Sequence, residues 1–195
     1  MQQAAKKYFT PAEYLALEEA APYKSEYYEG EIVQKASGSC DHNLIVGNLL
    51  EHLRPRLRKN NLEMFVLELK VWVEPVRWFT YPDLVVISGA PQFYENRKDV
   101  VMEPMLIVNV RRDPTRNDDR GERFTRHRTS MALQEYIMID QYAVRVEQYS
   151  RQTPSRWRLI EHCSIDDILE LSSVALQMSL RDIYDGVELT PPRKK

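Results

Sequence analysis

Cysteine is scarce in this chain. The two that occur, Cys40 and Cys163, form no CxxC pair and accompany no secretory segment, so reduced thiols in a cytoplasmic protein are expected. Long apolar runs are missing as well. The opening "MQQAAKKYFT" lacks the apolar stretch of a signal peptide, and nothing approaches the roughly 18 residues of a membrane span, so no membrane partner is expected. Neither sign of charge dominates: 27 basic residues against 29 acidic give a formal net charge of −2. That balance excludes a strongly basic nucleic-acid coat protein but not a local basic patch. The four histidines (His42, His52, His127, His162) have no close ligand spacing, which argues against a zinc site. There is no Gly-rich phosphate loop and no nucleophile elbow, so neither a serine or cysteine nucleophile nor a dedicated cofactor has support. Carboxylate chemistry is what remains.

What is present reads as one globular domain spanning residues 1–195, with 43% hydrophobic and 29% charged residues. "TPAEYLALEEA" announces a helix, with Thr10 as cap, Pro11 at the first helical position and Glu13 completing a capping box. "SEYYEGEIVQKA" reads as a strand pair bent at Gly30. From about Asp41 a second helix carries the apolar stripe Leu44, Ile45, Leu49, Leu53 and Leu57, with Pro55 expected to kink or end it. "LEMFVLELKVWVEP" alternates as one long strand, with Phe65, Leu67, Leu69, Val71 and Val73 on an apolar face and Val66, Glu68, Lys70, Trp72 and Glu74 on a solvated or functional one. "PDLVVIS" (Pro82 to Ser88), "PMLIVNV" (Pro104 to Val110) and "EYIMID" (Glu135 to Asp140) read as buried central strands. "NDDRGERFTRHR" has helical character with Asn117 or Asp118 as cap. "AVRVEQYS" and "RWRLIEH" form a hairpin around "RQTPS", and "SLRDIYDGVEL" closes as a short helix stopped by Gly186. The order predicts an α/β sandwich of mixed topology.

Within this frame a few residues can carry chemistry. Asp83, after Pro82, opens a buried strand; a carboxylate at a strand's mouth can stay hydrated on a rigid backbone, which suits a Mg²⁺ ligand. Taken alone, the dipeptide is better explained by a strand-entry turn, and it gains weight only with a second acidic ligand on the neighbouring strand and a nearby cation. Asn109 sits where the buried run "MLIV" meets a charged segment. Glu68-Leu69-Lys70 is a literal E-x-K triplet, 83 − 68 = 15 positions before Asp83; a charged strand face explains it, and Glu68 stays open as an auxiliary metal ligand. Seven arginines (111, 112, 116, 120, 123, 126 and 128) are interleaved with Asp113, Asp118, Asp119 and Glu122. They form either a solvated surface of internal ion pairs or a phosphate-tracking patch, with Arg111, Arg112, Arg116 and Arg120 the candidate contacts to nucleic acid. Trp72, Trp78, Phe79 and Tyr81 read as core or interface residues rather than stacking platforms for bases.

The pieces "KSEYYEGEIV", "HN" at His42-Asn43, "YPDLVV", "LIVNV", "DRGERF", "EYIMID" and "DIYDGVEL", in this order across nearly the whole chain, resemble the Uma family of restriction endonucleases. The resemblance implies a PD-(D/E)XK nuclease core, a central mixed sheet flanked by helices, with N-terminal helix and strand and C-terminal hairpin additions. It implies Mg²⁺- or Mn²⁺-dependent hydrolysis of DNA phosphodiesters, DNA as partner, and a homodimer. It assigns Asp83 as the first metal-binding acid, Asn109 to the position of the second, Arg123 to that of a lysine in the following helix, and Glu26 to an acidic position near the site. Asn109 replaces a glutamate and removes a formal charge from the metal cage, while Arg123 cannot deprotonate and aims a planar fork. The expectation is a degenerate site with weak or lost activity; the alternative is a non-catalytic DNA-binding or protein-interaction module on the nuclease fold.

Overall fold

The computed structural model describes residues 7–35, 37–66, 69–111 and 118–189, with 118–120 as backbone only. Helix α1 (Pro11–Ala20) starts as the sequence predicts: Thr10 accepts from the Glu13 amide at 3.2 Å, and the Glu13 carboxylate returns to the Thr10 amide at 2.7 Å. Strands β1 (Ser25–Tyr28) and β2 (Glu31–Gln34) form a hairpin whose two turn residues, Glu29 and Gly30, both have positive φ. A Cβ at Gly30 would meet the Tyr8 ring at 2.7 Å, so the turn needs glycine on both counts. Helix α2 (Cys40–Leu57) follows, capped by Ser39. Its buried stripe is His42, Ile45, Val46, Leu49, Leu53 and Leu57, whereas Leu44, expected in the stripe, is 42% exposed. Pro55 does not end the helix, which runs two residues further before tightening into a 3₁₀ turn.

The long strand expected over 62–75 is instead two, β3 (Leu62–Val66) and β4 (Lys70–Val73), and they belong to different sheets. Strands β5 (Trp78–Thr80), β6 (Leu84–Ser88), β7 (Gln92–Phe93), β8 (Val100–Met102) and β9 (Leu106–Arg111) follow. Then come α3 (Asp118–His127), β10 (Glu135–Asp140), the hairpin β11 (Val146–Thr153) and β12 (Arg156–His162), a second hairpin β13 (Ile168–Leu171) and β14 (Leu176–Ser179), and α4 (Leu180–Ile183). One six-stranded sheet has the order β2-β1-β5-β4-β8-β7 and the central one β12-β11-β10-β9-β6-β3. The central sheet is mixed: β9 and β10 run parallel, while β9 pairs antiparallel with β6 and β10 with β11.

Three apolar clusters fix the layers. α1 packs on the outer sheet through Tyr14, Tyr27, Trp72 and Phe79. The inner face of that sheet (Val71, Val73, Trp78) packs with Phe124 of α3 on one face of the central sheet (Val85, Ile87, Ile107, Tyr136). α2, α4 and the β13–β14 hairpin cover the other face through Leu49, Leu53, Leu84, Val108, Ile137 and Leu171. This arrangement corrects the expectation of a solvated face at Lys70 and Trp72. The outer sheet is covered on both sides at β4 and β5, so Trp72 packs tilted against Phe79 with ring centroids 4.2 Å apart, and buried Lys70 pairs with Glu18 at 2.9 Å and Asp99 at 2.7 Å. Trp78, Phe79 and Tyr81 are buried as well, in keeping with a core role. No helix among the described residues is long and apolar enough to cross a membrane.

Candidate active site

Asp83 enters β6 from the Tyr81-Pro82 turn. Its amide donates to the Val108 carbonyl at 3.1 Å, locking it to the neighbouring strand. The β6–β9 register sets Leu84 opposite Val108 and Val85 opposite Ile107; Asp83, just before β6, bonds to the residues on either side of Asn109, the Val108 carbonyl and the Val110 amide. The two residues assigned to the metal-binding acids thus lie on adjacent stretches of chain at the end of the ladder, and both are buried. Their environments differ. Asp83 accepts the Val110 amide on Oδ2 at 2.8 Å, while Oδ1 lies 3.1 Å from His42 Nε2 and 3.8 Å from Lys35 Nζ. Asn109 donates through Nδ2 to the Tyr136 hydroxyl at 3.2 Å.

His42 comes from the first turn of α2, where its amide caps onto Ser39 at 3.1 Å. Its Nδ1 faces Asn43 Oδ1 at 3.3 Å. Gly38 presses on the same nitrogen: a Cβ there would stand 2.8 Å from it, so the approach of the loop needs a residue without a side chain. Ser39 donates to the Gln141 side chain, whose Nε2 donates to the Arg111 carbonyl at 2.9 Å, tying the start of α2 to the ends of β9 and β10. Lys35, just past β2, donates to the Tyr81 carbonyl as well as facing Asp83.

Glu26 and Arg123 meet beside this group, from β1 and α3. Arg123 Nη2 donates to both Glu26 oxygens at 2.8 Å, and its Nη1 donates to Thr80 Oγ at 3.1 Å. Thr80 in turn donates to Glu26 Oε1 at 2.9 Å. Burial pushes the Glu26 carboxyl up, but the Arg123 charge and hydrogen bonds, with Lys35 and Thr80, outweigh it and hold the group below its usual range. Glu26 is therefore ionised and its oxygens are engaged.

The structure brings Asp83, Asn109, Glu26 and Arg123 together around one end of the central sheet. The other assignments fall elsewhere. Glu68, Arg112 and Arg116 lie outside the described residues, as does the side chain of Arg120. Lys70 of the E-x-K triplet points into the α1 ion-pair network and not toward Asp83. Arg111 lies 3.6 Å from Asp140, its side chain largely covered. In α3, Arg126 pairs with Glu122 and lies over the Tyr28 ring at 3.6 Å, so the described part of the arginine run is at least partly internal. Lys35 and His42 were not assigned from the sequence. His42 sits in the quoted "HN" pair, but nothing in "EIVQKA" marks Lys35.

Residues 11–181 match the model of the Uma2 family, described as "putative restriction endonuclease". The chain belongs to the Uma2 family. Among similar proteins, the uncharacterized protein sll1609 of Synechocystis sp. is 37% identical over 158 residues, covering 81% of this chain and 89% of that protein. A second uncharacterized Synechocystis protein, slr1290, is 28% identical over 180 residues, with 91% and 92% covered. A crystal structure described as a putative nuclease belonging to DUF820, from Anabaena variabilis, superposes with a TM-score of 0.73 at 19% identity, covering 91% of this chain and 98% of that one. That likeness establishes the fold, a mixed central sheet with flanking helices, for this Uma2 chain too.

Proposed function

We propose that this Uma2 chain is a DNA-directed protein of restriction-endonuclease type in which metal-dependent phosphodiester hydrolysis is strongly attenuated. Family membership supports the substrate class. The observation that carries the attenuation is the neutral amide of Asn109 on β9 between the two residues, Val108 and Val110, to which Asp83 is bonded. Mg²⁺ parts with its water reluctantly and relies on anionic oxygen ligands in near-octahedral geometry. Here one of the two positions offers a neutral amide, already tied to Tyr136. The nearest other carboxylate of the group, Glu26, is closed by the Arg123 fork. Among the described residues no group of three or more His, Cys, Asp or Glu side chains is arranged to hold a metal ion. In our reading this donor set does not fit a resident Mg²⁺ or Mn²⁺.

The test uses supercoiled and linear DNA with Mg²⁺ or Mn²⁺. Wild type is expected to leave both intact on the timescale on which Asn109→Glu combined with Arg123→Lys introduces nicks. Efficient cleavage by wild type that disappears in Asp83→Ala would overturn the reading, because it would show that the amide is tolerated. DNA affinity is expected to fall with salt and to be indifferent to divalent ions and to Asp83→Asn, since phosphate contacts through arginine and lysine release counter-ions without needing a metal.

A further inference from the structure

The cation beside Asp83 is a side chain. Lys35 is held at the exit of the β1–β2 hairpin, where its amide donates to the Lys24 carbonyl at 2.9 Å. Its Nζ lies 3.8 Å from Asp83 Oδ1 and also donates to the Tyr81 carbonyl, two residues before Asp83. Both partners are covered: the side chains of Lys35 and Asp83 are 12% and 4% exposed. Beside them Glu26 and Arg123 form the second ion pair, so two carboxylates face two fixed cations. The remaining Asp83 oxygen is taken by the Val110 amide, and His42 shares the first.

We propose that the Lys35 ammonium is the resident counter-ion of Asp83, a tethered monovalent charge standing where a divalent ion would have to bind and excluding it. The inference rests on the reading of Asp83 as the acid of the nuclease-type site, but it adds a cause that Asn109 does not supply. A doubly charged ion brought against Asp83 would lie within a few ångströms of a covered ammonium, which cannot move into solvent without giving up its carbonyl and carboxylate partners. Restoring a glutamate at 109 would then return only part of the site's affinity for metal. The Lys35 charge would still oppose the ion.

The experiment is a Mn²⁺ titration of the full chain by calorimetry, with thermal stability measured in parallel. Wild type, Lys35→Met, Lys35→Arg, Asn109→Glu and both Lys35 variants combined with Asn109→Glu are compared. The Lys35→Met and Asn109→Glu combination is expected to bind Mn²⁺ about tenfold or more tightly than Asn109→Glu alone. That gain should vanish when Asp83→Asn is added, and Lys35→Arg should give none, because it keeps the charge. Equal Mn²⁺ affinity of Asn109→Glu with and without Lys35→Met would overturn the proposal. So would an equal gain from Lys35→Arg, which would assign the effect to packing. If Lys35→Met lowers thermal stability enough to obscure binding, Lys35→Gln is read against the same criteria. These outcomes are independent of DNA cleavage: nicking by wild type defeats the attenuated-nuclease reading, whereas the Mn²⁺ comparison alone decides the role of Lys35.

Discussion

Single side chains in this molecule are most informative where they are buried with a charge or without a partner. His127 is fully buried between Trp78 and Tyr136, with ring centroids 4.6 and 5.5 Å away, and neither ring nitrogen has a hydrogen-bond partner. Burial, with the charges of Arg123 and Arg126, pushes its pKa well below 6.5. The unfolded chain binds a proton near pH 6.5 while the folded chain does not, so His127 leaves stability untouched above that pH and erodes it as the pH falls below. Unfolding free energies from urea titrations between pH 7.5 and 5 should decline, at a limiting slope of about 1.4 kcal/mol per pH unit for this one group, and less steeply in His127→Phe. Equal slopes in the two proteins would sink the idea. The Glu26–Arg123 pair gives the converse case. Arg123→Ala strands an ionised, largely covered Glu26 and should cost about 3 kcal/mol, with Glu26→Gln in the same background recovering part of it in denaturation experiments.

At the level of elements, the C-terminal hairpin depends on one carboxylate. Glu135, at the start of β10, accepts from Gln148 at 3.0 Å, Ser150 at 3.3 Å, and the Ser172 and Ser173 amides at 3.3 and 2.9 Å. These last two amides open the 3₁₀ turn joining β13 to β14, so Glu135 pins that hairpin to the central sheet. Glu135→Ala should cost about 2–3 kcal/mol and raise amide exchange first in Ile168–Ser179; uniform exchange across the chain would contradict the pinning role. The same scale shows what the sequence discloses. The α1 capping box, most of the α2 stripe and the apolar runs of β6, β9 and β10 are legible because each is long, or carries a pattern fixed by local geometry. Strands β5, β7 and β8 have only two or three residues, too few for a period to show. The split of β3 from β4 is invisible because the alternation carries on through the change of sheet. Asp83 and Asn109 are legible as candidates through the family resemblance and the neighbouring apolar runs. Lys35 and His42 are not, since each reaches Asp83 from more than forty residues away and no local pattern encodes that contact.

Across the whole molecule, the cluster between the two large sheets draws Val71, Val73 and Trp78 from one, Val85, Ile107 and Tyr136 from the other, and Phe124 from α3. Neither sheet can keep that face buried if the other unfolds. Fluorescence, with Trp72 and Trp78 on the outer sheet and Trp157 on β12, should therefore report the same denaturant midpoint as far-UV circular dichroism; two separate transitions would show that the sheets fold independently. The passage of the chain between sheets after β3 has a consequence for synthesis. A ribosome releases Lys35 and His42 first, then Asp83, and only later the Val110 amide and Arg123. Until β9 emerges the Asp83 carboxylate lacks its backbone donor, and until α3 emerges Glu26 lacks its guanidinium. The site cannot form as the chain grows past its first acid; it closes only when the last of its contributors has left the tunnel, so a chain truncated before β9 carries its acids and its lysine without the frame that pairs them.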